Sequence, residues 1–286
     1  MNLAITPFFD PATFSFSYVV SDPSGAAAII DTVLDFDPVS GRATTANADK
    51  IVSFVQEHRL QVEWLLETHI HADHLSAAQF LKEQLGGTIA VGAGVTQVQH
   101  AFSRVFNAAQ DCPADGSQFD RLLHEGDELA LGASAIKVLA TPGHTPACIT
   151  YVIENNAFVG DTLFMPDYGT ARTDFPGGDA DQLYASIQKI LALPDDTNLY
   201  MCHDYGTATR TEFKCLTTVA LQRTENIHIH ENIDQAKFVE FRTCRDRDLA
   251  APRLLYPAVQ FNMRAGAFAS PEDNGQTYIK IPVRYA

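Results

Sequence analysis

The sequence predicts an α/β layered domain in which two sheets pack together with helices outside. Three observations carry this. Short apolar strands are mixed with amphipathic helices. The second half repeats the first half's grammar of strand, polar turn, strand and helix. No low-complexity tract or short-period repeat interrupts it. With 286 residues, 46% of them hydrophobic, the chain can bury a core without disulfides or a structural metal. The layered domain is expected over residues 1–245, with 246–286 a loop-rich tail folded over it.

In the first half, the alternating run 14–20 and the apolar run 26–31 read as strands separated by the turn Asp22-Pro23-Ser24-Gly25. Residues 47–58 predict a helix with Ile51, Phe54 and Val55 on one face. A buried strand follows over 62–68, then a histidine cluster and a helix over 75–85 stopped by Gly86-Gly87. Residues 88–91 form another strand. In the second half, strand 136–140 leads into Thr141-Pro142-Gly143-His144. Strands 149–153 and 157–159 flank an Asn155-Asn156 turn. Residues 179–193 predict a helix striped by Leu183, Ile187, Ile190 and Leu191, and 198–201 a last short strand.

Charge excludes some partners. The formal net charge is −15, which repels phosphate backbones and anionic lipid, so neither nucleic acid nor membrane is an expected partner. Five scattered cysteines without a CxxC pair fit free thiols in a reducing compartment. The first residues resemble neither a signal nor a transit peptide, and no segment reaches the roughly 20 apolar residues of a membrane span. The expected location is the cytoplasm.

The chemistry concentrates in Thr68-His69-Ile70-His71-Ala72-Asp73-His74. Residues two apart at a strand end project to one side, so His69 and His71 can share a metal. Asp73 and His74 can face a second metal position, and Asp73 can also cap the following helix. Three later residues sit at strand ends, where functional side chains converge: His144, Asp161 in Val-Gly-Asp-Thr, and His203. His58, His100, His124, His228 and His230 lack such a context and read as surface or packing residues.

The series HxHADH, TPGH, GD and a late histidine resembles the metallo-β-lactamase superfamily over roughly residues 12 to 205. The resemblance implies its αββα sandwich, two mixed β-sheets flanked by helices. Asp161 stands where thiolate-using lactamases place cysteine, and His71 departs from the flavodiiron branch, which leaves glyoxalase II-type thioester hydrolases and persulfide dioxygenases. The runs Gly143–Cys148, Gly160–Phe164, Ala171–Phe175, His203–Tyr205, Gln222–Asn226 and Asn262-Met263-Arg264 resemble the persulfide dioxygenases. The stretch Gln99–Asp120 is longer than in mitochondrial members, and bears on substrate size and oligomer contacts.

That resemblance implies one Fe(II) per chain on His69, His144 and Asp161, and oxidation of glutathione persulfide by O2 and water to sulfite and glutathione. His71, Asp73, His74 and His203 would surround the iron or form a second, vacant metal position. The competing reading is a dinuclear zinc site hydrolysing S-acylglutathione; a binding protein on the same fold is a third, opposed by the intact ligand series. Arg172 and Tyr205, with Arg223 behind them, are the candidates for gripping the substrate, and each arginine has a structural ion pair as its alternative. Cys148 and Cys202 read as packing residues despite their proximity to ligands. The resemblance also implies a homodimer, for which no feature of this sequence speaks.

Overall fold

The computed structural model describes residues 3–283; residues 1–2, and 284–286 at the end of the expected tail, lie outside the described residues. The first half contains β1 (Ala4–Asp10), β2 (Ser15–Ser21), β3 (Ala26–Ile30), β4 (Asp35–Asp37), β5 (Arg42–Thr44), α1 (Ala46–Glu57), β6 (Gln61–Leu66), α2 (Ala78–Leu85), β7 (Thr88–Gly92), α3 (Val95–Phe106) and β8 (Arg121–Leu123). The second contains β9 (Glu128–Leu131), β10 (Ser134–Ala140), β11 (Ile149–Ile153), β12 (Asn156–Phe158), α4 (Ala180–Leu191), β13 (Asn198–Tyr200) and β14 (Leu216–Thr218). Three helices follow: α5 (Val219–Glu225), α6 (Gln235–Asp246) and α7 (Leu255–Asn262).

Two six-stranded mixed sheets result, ordered β1-β2-β3-β6-β7-β8 and β14-β13-β12-β11-β10-β9. Strands buried on both faces read as continuous apolar runs. In β2 and β3, Tyr18, Val20, Ala28 and Ile30 point into an inter-sheet core shared with Val138, Tyr151 and Phe158. The intervening Val19 and Ile29 face the opposite way, against Ile51, Val55 and Leu81 of α1 and α2. On the far side, Ala157 and Leu199 meet Leu183, Ile187 and Ile190 of α4 and Phe238 of α6. The layers are therefore helix, sheet, sheet, helix: the expected sandwich.

Differences from the sequence reading are local. β6 stops at Leu66, because the side chains of Glu67 and Thr68 bond to Ser76 and Asp31. α2 begins at Ala78, since Leu75 is held in a bridge with Leu34 and the Ser76 amide bonds to Asn262. Ile153 pairs with Asn156, so the hairpin turn is Glu154-Asn155, with Glu154 at φ 53°. The tail is not all loop. Its helix α7 puts Ala258, Val259 and Phe261 into the core under the first sheet. The Gln99–Asp120 stretch continues α3 and packs there too: Gln99 is fully buried and donates to the Met263 carbonyl at 2.9 Å.

Phe261→Ala is expected to cost about 3–5 kcal/mol, the usual range for emptying a buried aromatic site. The change in urea-unfolding midpoint measures it. A loss below about 1 kcal/mol would show that the tail lies on the domain without belonging to its core.

Candidate metal centre

Strand ends build the site. His69 comes three residues after β6, Asp161 three after β12, and His203 three after β13, while His144 follows β10. These ends open on one rim of the sandwich, where loops present side chains from a rigid frame. Two glycines let the loops close up. A Cβ on Gly160 (φ 52°) would stand 2.5 Å from Thr68 Oγ1, and one on Gly143 (φ 139°) 2.3 Å from the Leu183 amide nitrogen.

Each of five histidine rings is tied to the protein through one nitrogen and turns the other inward. His69 Nδ1 donates to Thr68 Oγ1 (3.0 Å), whose hydroxyl donates onward to Asp31 (2.8 Å). His144 Nδ1 donates to the Arg172 carbonyl at 2.7 Å. Ser15 Oγ lies 3.3 Å from His74 Nδ1 and 3.2 Å from His203 Nδ1. It accepts from both rings because its own hydrogen can pass to Thr13, which donates to Asp10 at 2.6 Å. His71 is reversed: Nε2 lies 3.1 Å from both Asp31 and Glu67, leaving Nδ1 to face inward. Outer bonds of this kind fix tautomer and ring orientation in metal sites.

The inward atoms have nothing to bond. His71 Nδ1, His74 Nε2, His203 Nε2, Asp73 Oδ2 and Asp161 Oδ1 are buried without a hydrogen-bond partner, an arrangement that costs free energy unless an ion or water completes it. Asp161 Oδ2 is 3.7 Å from Nε2 of both His69 and His144, and Asp161 Oδ1 is 3.5 Å from His203 Nε2. Donors about 2.1 Å from a shared metal stand about 3.0–3.4 Å apart, so modest contraction onto an ion suffices. Donor atoms within 4.8 Å of one another group His69, His144 and Asp161, and His71, Asp73, His74 and His203; Asp161 also groups with Cys202 and His203, and His71 with Asp31 and Glu67. Burial, followed by repulsion from His71, lowers the affinities of His69 and His74 for a proton. Burial works against a charged His71, but Asp31 and Glu67 raise it well above an ordinary histidine. A metal at its Nδ1 therefore competes with a proton.

A cavity of about 290 Å³ opens over the centre, lined by Asp73, His144, Asp161, Phe164, Tyr168 and Tyr205 among others. Tyr205 lines it as expected, its ring stacked 5.5 Å from His203. Arg172 also lines it, but the guanidinium is largely consumed: Nε and one terminal nitrogen bind Asp174 at 2.5 and 2.6 Å, and the other donates to the Ala250 carbonyl at 2.7 Å. Arg223 is not brought here. It pairs with Asp195 and the Leu191 carbonyl at a separate crevice beside Tyr184 and Ile229. No residue of Gln99–Asp120 lines the cavity, because that stretch fills core space on the other side of the first sheet. Cys148 and Cys202 are buried, and burial pushes the Cys148 thiol up to about 12 and Cys202 well above its ordinary value. Neither is a thiolate at working pH.

The model of the metallo-beta-lactamase superfamily matches residues 10–203. The chain belongs to this superfamily. It is similar to a probable metallo-hydrolase of Burkholderia pseudomallei, 54% identical over 98% of this chain and 99% of that protein. It is 46% identical to Glyoxylase B2 of Dictyostelium discoideum over 93% and 92% of the two chains. The mitochondrial persulfide dioxygenase of Homo sapiens is 31% identical, over 92% and 89%. Among solved structures, ETHE1 from Myxococcus xanthus superposes with a TM-score of 0.74 at 28% identity, covering 92% of this chain and all of that one.

Beyond the superfamily's ligand motifs, sequence reasoning missed Ser15, Asp31 and Glu67, and noted Asn262 only within the run Asn262-Met263-Arg264, without a role. Asp31 (φ 50°) holds Thr68 and faces His71. The buried Asn262 of α7 donates to the carbonyls of His71 (2.9 Å) and His74 (2.8 Å) and accepts the Ser76 amide (2.8 Å). A charge closing an apolar strand, as in Asp31, and an acid directly before the histidines, as in Glu67, were the available signals; Asn262 had none in periodicity.

Asn262→Ala is expected to weaken metal binding about 10- to 100-fold, the range for losing an outer support, as measured by competition with a chelator. Unchanged affinity would show that the ligand loop holds itself. Cys148→Ala and Cys202→Ala are expected to keep their metal and turnover; abolished turnover at full metal content would give one of these thiols a chemical role.

Proposed function

We propose that the protein is an iron-dependent persulfide dioxygenase, oxidising glutathione persulfide to sulfite and glutathione. The observation that carries this reading is the grouping of His69, His144 and Asp161, whose donor atoms all lie within 4.8 Å of one another. Two histidines and one carboxylate on one side of an ion leave positions open for a substrate and O2, the donor set of non-haem Fe(II) oxygenases. The likeness to a persulfide dioxygenase across 92% of the chain supports it.

These three residues would hold Fe(II), which supplies the electron transfer that O2 chemistry needs. The chain's own residues do the rest. Thr68 and the Arg172 carbonyl keep the Nε2 lone pairs of His69 and His144 directed at the ion. Tyr205, Tyr168 and Phe164 line the passage above it, through which the outer sulfur of a persulfide would reach the centre. His74 and His203, whose inward Nε2 atoms are buried without a partner, can position the water consumed in the overall reaction. One persulfide, one O2 and one water give one thiol, one sulfite and two protons.

A dinuclear zinc hydrolase acting on S-acylglutathione is the second reading. The unsatisfied atoms of His71, Asp73, His74 and His203 favour it, because they would suit another ion beside Asp161. The location proposed is the cytoplasm, and the assembly a homodimer; among the described residues no helix is long and apolar enough to cross a membrane.

The test is oxygen uptake by anaerobically iron-loaded protein on adding glutathione persulfide, with sulfite assayed in the same sample. Equal amounts of O2 consumed and sulfite formed are expected, with loss of both in His144→Ala. Hydrolysis of S-lactoylglutathione by zinc-loaded protein, without oxygen uptake on persulfide, would replace this reading with the second.

A further inference from the structure

We infer that Arg245 is the carboxylate-recognition point of the cleft, so that the site selects persulfides carrying a carboxylate remote from the sulfur. This deepens the persulfide reading and rests on it for the identity of the reacting end. Three arginines line the cavity over the metal ligands, and no lysine does. Arg172 is neutralised by Asp174 and spends further donors on the Leu249 and Ala250 carbonyls. Arg242 is buried; Nε and one terminal nitrogen bind Asp246 Oδ1 at 2.9 and 2.6 Å, and the other reaches the Thr170 carbonyl at 3.1 Å. Each of the two already has its charge matched by a carboxylate.

Arg245 differs from both. It lies one turn beyond Arg242 on α6, is exposed, and its guanidinium enters no hydrogen bond or ion pair among the described residues. Asp248 shares the outer crevice with it, yet makes no ion pair with it. Arg172 is ion-paired with Asp174 and Arg242 with Asp246, whereas Arg245 has no ion-pair partner among the described residues, although Glu240 and Asp248 line the outer crevice with it. In a chain of net charge −15, an unmatched cation facing a cleft is the natural counterpart of an anionic ligand group. The cavity supplies the rest of a ligand's description. Its metal end suits a sulfur, Phe164, Phe175 and Leu249 give apolar wall, and Arg245 stands with Tyr168 among the remaining lining residues. A planar guanidinium grips a carboxylate through two parallel hydrogen bonds, which an ester or a hydroxyl cannot accept equally.

The test separates carboxylate binding from chemistry. Calorimetry of metal-free protein with glutathione, and with its dimethyl ester, is run on the unmodified chain, Arg245→Gln and Arg245→Lys. Glutathione is expected to bind about ten-fold tighter than the ester, a preference lost in Arg245→Gln and partly kept in Arg245→Lys, as suits one solvent-accessible charged hydrogen-bonded pair. In turnover, the ratio of kcat/KM for glutathione persulfide to that for 2-mercaptoethanol persulfide is expected to fall about ten-fold in Arg245→Gln through KM. An unaltered preference in Arg245→Gln, in binding and in turnover, overturns the inference while leaving the persulfide reading standing. A preference lost in Arg245→Gln, in a protein that oxidises neither persulfide, upholds Arg245 as the carboxylate site and removes the dioxygenase reading instead.

Discussion

The structure depends on a division of labour within each imidazole: one nitrogen belongs to the fold and the other to the centre. Thr68, the Arg172 carbonyl, Ser15 and the Asp31–Glu67 pair take the outer nitrogens of five rings. Those bonds come from strand ends in both sheets and from the loops beside them. The two sheets must therefore be docked before the inner nitrogens can converge. The cost is a pocket of buried polar atoms without partners, which an apolar core of this size would not tolerate unless an ion compensates it.

The C-terminal segment takes part in that arrangement. The Arg242–Asp246 pair on α6 places Asp246 Oδ2 2.8 Å from the Thr173 amide. Thr173 adjoins Arg172, whose carbonyl orients His144 and whose guanidinium ties down Leu249 and Ala250. On the other side of the centre, Asn262 holds the backbone of His71 and His74. Both flanks of the centre thus hang on helices that follow the second sheet, and the cleft wall is made from the same segment. The cleft wall and the ligand geometry share their supports, so changes in this segment are expected to act on both.

Much of this was legible in the sequence, for definite reasons. Strands buried on both faces and the striped helix α4 follow from hydrophobic patterning, and the ligand motifs are dense enough in histidine to stand out from any core. Arg172 and Tyr205, which follow ligand motifs closely in sequence, line the cleft. Arg223 does not. Adjacency to a motif in sequence cannot say which way α5 turns, and Arg223's partner Asp195 comes from the loop after α4. The tail helix was missed because α7 is apolar nearly all round, so it shows no stripe. The roles of Asp31, Ser15 and Asn262 were invisible because they are long-range bonds, and only tertiary structure brings positions 15, 31 and 262 to one centre.

The central claim is that three of the seven donors hold the metal and four surround it. The most direct measurement is the iron retained per chain by His69→Ala and His74→Ala after anaerobic loading and gel filtration. The account predicts that His69→Ala loses its iron, whereas His74→Ala keeps close to one ion per chain. Equal losses in both variants, or two ions per chain in the unmodified protein, would contradict it and make the seven donors a single dinuclear centre.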